Sequence, residues 1–121
     1  MDTRSKILTV EAATQISDRP VVLVTGTFDI IRADHIRQLN DLPPGRVLAV
    51  VLPAPIDFLP QSARSEVVAA LRMIDYVVAA GPDAVDQLIH ALDPAAVVRL
   101  EAADALRARH LIEHVRRLHN R

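Results

Sequence analysis

Four apolar runs rich in β-branched residues punctuate the chain, at Val21 to Thr25, Val47 to Leu52, Tyr76 to Ala79 and Ala95 to Leu100. Their hydrophobicity is close to continuous, which predicts strands covered on both faces, as in a parallel sheet between layers of helices. Helical spacing of apolar residues fits Asp34 to Asp41, Ser62 to Ile74, Asp83 to Leu92 and Ala102 to His119, with a short leader helix from about Val10 to Ile16. Pro43-Pro44-Gly45, Pro53-Ala54-Pro55 and Gly81-Pro82 mark turns between these segments. The order αβαβαβαβα, wound with right-handed crossovers, predicts a Rossmann-like α/β/α sandwich on a parallel sheet of four to five strands. One domain spans residues 1–121, with a leader over 1–19 and the core over 20–121.

Composition narrows the function classes. Half of the 121 residues are apolar and 24% are charged, the balance of a chain with a packed core. Fourteen Lys and Arg face fifteen Asp and Glu, for a net charge of −1, so no global basic field draws in nucleic acid or an anionic membrane. Without cysteine, disulfides, thiol nucleophiles and Cys-held metals drop out. Met1 to Ile16 carries Asp2, Lys6 and Glu11 and has no apolar core of signal-peptide length, and a cytoplasmic location is expected. Phe28, Phe58 and Tyr76 are the only aromatics, too few for a nucleic-acid stacking platform. A core built this way is modest, and a homodimer is the expected means of covering leftover apolar surface.

In open parallel sheets ligands sit beyond the carboxyl ends of the strands. The loop after the first of the four runs reads Thr25-Gly26-Thr27-Phe28-Asp29-Ile30-Ile31-Arg32-Ala33-Asp34-His35. A glycine directly after a strand lets a ligand approach the backbone, and the next helix N-terminus offers free N–H groups to a phosphate. The same glycine also suits an ordinary strand-to-helix corner. On the last helical segment, His110 and His114 share a face beside Glu113, but without a third ligand at suitable spacing they read as a solvated face and no metal site is assigned. The basic end of that segment, from Arg107 to Arg121, suits the helix dipole.

Gly26-Thr27-Phe28-Asp29, followed six residues later by His35, resembles the G-x-F-D-x-x-H-x-G-H signature of the cytidylyltransferase-like nucleotidyltransferases. Within that family the adenylyltransferase domain of the ADP-heptose synthase type is most similar. Lys6 to Glu11 looks like its leader, Arg64 with Ala70 to Val78 like its A-L-R-x-V-D-x-V-V segment, and Leu92 to Arg99 like its L-x-P-D-x-L-V-K. The resemblance implies a domain that binds ATP or CTP with Mg²⁺ and transfers the nucleotidyl group to a sugar phosphate. On that basis His35 and Arg32 are the catalytic candidates. Thr25, Gly26, Thr27, Phe28, Asp29, Asp34, Arg64 and Arg99 are the nucleotide-binding candidates.

Two departures change what the motif can do. Arg32 stands where the first histidine would be, and it can pair with phosphate but cannot offer a neutral imidazole near pH 7. Asp34 replaces the motif's glycine at the start of a helix, where its carboxylate can cap the N–H groups that would receive phosphate. The later K-G-G-D-Y segment is replaced by Arg99-Leu100-Glu101-Ala102-Ala103, without its glycines. The expectation is therefore a degraded site with weak nucleotide or phosphate binding and an interaction or regulatory role. The alternative is an active transferase in which Arg32 replaces the first histidine and Mg²⁺ neutralises Asp34.

Overall fold

The computed structural model describes residues 2–29, 31, 33–54 and 59–101. A 3-10 turn at Thr3–Lys6 leads into strand β1 (Ile7–Leu8), helix α1 (Val10–Thr14), β2 (Val21–Gly26), α2 (Ala33–Asn40), β3 (Arg46–Val51), α3 (Gln61–Ala69), β4 (Tyr76–Ala79), α4 (Pro82–Leu92) and β5 (Ala96–Arg99). The five strands form one sheet in the order β1-β4-β3-β2-β5, and every pair is parallel. This is the α/β architecture with a Rossmann-like parallel sheet that the apolar runs predict. Among the described residues no helix is long and apolar enough to cross a membrane.

The period of two along each strand explains the continuous hydrophobic runs. Val22 and Val24 of β2, with Val47, Ala49 and Val51 of β3 and Val77 of β4, pack on one face with Leu39 of α2 and Val68 and Ala69 of α3. Val21, Leu23, Leu48, Val50 and Val78 pack on the other, with Ala13 of α1 and Val85, Leu88 and Leu92 of α4. Strands β2 and β3 therefore carry apolar residues at both parities, whereas the edge strand β5, expected to be covered on both faces, packs only its Ala96 and Val98 side against the core and leaves Val97 and Arg99 exposed.

Local chemistry sets the ends of the elements. Thr9 caps α1 by accepting the Ala12 N–H at 3.1 Å. Pro82 opens α4 after the Gly81 cap, and Asp93 closes it in the left-handed region at φ 44°.

Four sequence expectations are corrected here. The leader contributes a strand, β1, before its helix, and the helix ends at Thr14 rather than Ile16. Helix α3 ends at Ala69 rather than Ile74, and the Lys6 ammonium caps the turn that follows through the carbonyls of Ile74 (2.8 Å) and Leu71 (3.3 Å). Leu100 belongs to a helical turn and not to the last strand. Helix α2 is shifted by one residue at each end. The expected helix from Ala102 to His119, with His110, His114 and its basic end, lies outside the described residues.

Candidate functional site

The strand order reverses beside β2. The chain steps from β2 to β3 to β4 on one side, then crosses to place β5 on the other. A crevice at such a reversal, beyond the carboxyl ends of the strands, is where ligands bind in open α/β sheets. Here the described segments that follow the two strands at the reversal are Thr27 to Asp29 after β2 and the turn at Leu100 and Glu101 after β5. The register pairs Thr25 with Arg99 and runs Gly26 alongside Val51, so three strand ends meet at this point.

Thr25 is fully buried, and its hydroxyl faces the Glu101 carboxylate, with Oγ1 2.9 Å from Oε1 and 2.8 Å from Oε2. Its one proton is shared by two oxygens, a charge-assisted contact across 76 residues of sequence. Next to it, Gly26 is covered from within. A Cβ at this position would lie 3.2 Å from Phe28 Cε2, 3.4 Å from Phe28 Cζ and 3.4 Å from Leu100 Cβ. Phe28 holds its ring there with φ at 52°, a left-handed conformation uncommon for a side chain of that size. The space that a backbone glycine opens is therefore occupied by two side chains of the same protein.

Arg64 lies beneath this floor rather than at its mouth. Its side chain is fully buried, and its guanidinium donates to the carbonyl of Thr27, to that of Leu52 at 2.8 Å and to that of Leu59 at 3.1 Å. One turn earlier on α3, Gln61 Nε2 reaches the carbonyls of Val51 (2.8 Å) and Ala80 (3.4 Å). The two side chains draw together the carboxyl ends of β2, β3 and β4, with Gln61 adding a second donor to the Val51 carbonyl, which also accepts the Ala80 N–H at 3.1 Å. Positive charge at Arg64 thus stabilises backbone, and little of it faces solvent.

The remaining candidates are dispersed around the crevice. His35 is buried in α2, 5% exposed. Its backbone N–H donates to Asp34 Oδ1 at 3.1 Å, so one donor in the first turn of α2 is taken internally. Asp29 is part-buried, and its Oδ1 is enclosed with no hydrogen-bond partner among the described residues. Arg99 is exposed at the end of β5. Arg32 lies outside the described residues. The structure gathers Thr25, Gly26, Thr27, Phe28 and Arg64 at one place, and sets Arg99 at its rim.

No protein-family model and no curated protein matches this chain.

Sequence reasoning took Arg99-Leu100-Glu101 only as the degraded counterpart of the K-G-G-D-Y segment and gave Leu100 and Glu101 no role of their own, and it missed Gln61 as a support. Leu100 and Glu101 were within reach. The rule that ligands gather where strand order reverses applies as much to the segment after β5 as to the one after β2. Gln61 could not be found that way, since nothing in its neighbourhood marks a glutamine as a cap for strand carbonyls.

Among the described residues no group of three or more His, Asp or Glu side chains converges on a metal position.

Proposed function

We propose that this chain is a nucleotidyltransferase-like domain of the cytidylyltransferase type whose site no longer performs catalysis, and which serves as an interaction or regulatory module with at most weak affinity for a nucleotide or another phosphate. The observation that carries this reading is the cover over Gly26. In a working site the glycine would let the backbone approach its ligand, whereas here the Phe28 ring and Leu100 fill that approach. Two charge arguments support it. A carboxylate, Glu101, stands at the end of β2 where a triphosphate would need donors, and a like charge at about 4 Å costs on the order of 1 to 4 kcal/mol at water-like to surface-like dielectric. The guanidinium of Arg64 is spent on main-chain carbonyls.

Isothermal titration with ATP and with CTP, each with and without Mg²⁺, tests the reading. Dissociation constants of about 1 mM or weaker are expected. Micromolar affinity that depends on Mg²⁺ would overturn it in favour of the active alternative, transfer of AMP or CMP to a sugar phosphate. The interaction role takes a second copy of the chain as partner, in keeping with the exposed Val67 and Val97. Sedimentation equilibrium at micromolar concentration checks this, and a strictly monomeric species would remove the homodimer.

A further inference from the structure

We propose that Glu101 is an internal plug of the crevice between β2 and β5. Its carboxylate takes the place of an external oxyanion, and its withdrawal uncovers a site for a phosphate group. This inference rests on the reading that the site is closed from within, and it names what closes it.

The first support is positional. Thr25 is the penultimate residue of β2 and pairs in register with Arg99, the last residue of β5, so the Glu101 carboxylate sits at the one point where the strand order reverses. The second is chemical. The Thr25 hydroxyl is fully buried yet lies within hydrogen-bond distance of both carboxylate oxygens, at 2.9 and 2.8 Å. A donor that meets two oxygens of a carboxylate is placed to meet two oxygens of a phosphate. Arg99 is exposed at the same strand ends, where it adds positive charge at the rim.

The third support links the plug to the cover. Leu100 and Glu101 belong to one helical turn, and Leu100 Cβ lies 3.4 Å from the position a Cβ on Gly26 would take. Leu100 and Glu101 thus close the same corner from adjacent positions of the chain, one against Gly26 and the other over the Thr25 hydroxyl.

Titration of the full chain with inorganic tripolyphosphate tests the proposal, with Glu101→Gln and Glu101→Ala beside the wild type. Glu101→Gln keeps an acceptor for Thr25 and removes only the charge. Both variants are expected to bind at least tenfold more tightly than the wild type, and Thr25→Val added to Glu101→Gln is expected to cancel the gain. Unchanged affinity in a cooperatively melting Glu101→Gln variant overturns the plug. Should the variants fail to fold, the wild type decides alone. Tripolyphosphate at millimolar concentration is expected to shift the backbone amide resonances of Thr25, Gly26 and Glu101 together, and their indifference to it overturns the proposal. Failure here leaves the non-catalytic reading standing, whereas nucleotidyl transfer by the wild type would remove that reading whatever Glu101 does.

Discussion

The Phe28 ring lies against Gly26, so that a Cβ on the glycine would come within 3.2 Å of Cε2. Phe28 is 6% exposed and held in the left-handed region, so a ring that gave way to a methyl group would have to shift within packed surroundings. Leu100 Cβ closes the other side at 3.4 Å. Gly26→Ala is therefore expected to overpack this corner and lower stability by about 1 to 2 kcal/mol, read from the urea midpoint at unchanged slope. A variant as stable as the wild type would mean that the ring moves freely, and the cover over Gly26 would lose its meaning.

Arg64 is the support on which the crevice floor depends. Removing its guanidinium leaves the carbonyls of Thr27, Leu52 and Leu59 without this donor in a buried setting. An unsatisfied buried polar group costs about 1 to 3 kcal/mol, so Arg64→Ala is expected to lose at least 3 kcal/mol, a large part of the 5 to 15 kcal/mol typical of a domain. Arg64→Lys, with a single ammonium in place of the planar fork, is expected to fall between that variant and the wild type. Denaturant unfolding of both variants makes the comparison.

How much of this was legible in the sequence depends on run length and on the kind of contact. Strands β2 to β5 could be read because each carries a run of consecutive apolar residues, although only one face of β5 is covered and Val97 is exposed. Strand β1 is only Ile7–Leu8, between Lys6 and Thr9, too short to stand out from a polar leader. Leu100 continues an apolar run and so resembles a strand residue, yet its side chain is used to cover Gly26. The end of α3 was hidden for a similar reason. Leu71, Met73 and Ile74 keep the apolar pattern beyond Ala69, and the cap that ends the segment is Lys6, 68 residues from Ile74. Arg64 illustrates the limit most clearly. A sequence reports a cation, and only the fold shows that it faces three main-chain carbonyls instead of solvent.

Gly45 is the glycine whose backbone angle is required. Its φ is +152°, and a Cβ there would sit 2.6 Å from the carbonyl oxygen of Pro20, which accepts the Arg46 N–H at 2.9 Å as β3 begins. Gly45→Ala is expected to cost about 1 to 3 kcal/mol. Gly81→Ala, where the same atom would meet open space, is expected to change stability by less than about 0.5 kcal/mol. Thermal melts of the two variants side by side provide the check.

At the opposite end of the sheet, Tyr76 donates its hydroxyl to Asp18, and Arg46 lies 3.5 Å from Asp75 and 3.9 Å from Asp18. The bond to Asp18 holds the phenol above its ordinary pKa. A group whose folded pKa is raised contributes stability below its unfolded pKa and loses that contribution as pH rises through the folded value. Stability is therefore expected to decline above about pH 10 through this contact. Tyr76→Phe is expected to abolish that part of the alkaline decline while lowering stability at neutral pH. An identical pH profile for variant and wild type above pH 9 would show that the contact carries no such linkage.

The central claim is that the crevice at the β2 and β5 strand ends is closed to catalysis by Phe28, Leu100 and Glu101. Pyrophosphate release tests it most directly, with wild-type protein incubated with ATP or CTP, Mg²⁺ and a panel of sugar phosphates. Release no faster than in protein-free controls is expected across the panel. Sustained release that depends on the sugar phosphate and disappears in Glu101→Ala and His35→Ala would contradict the account, because the same crevice would then be a working nucleotidyltransferase site.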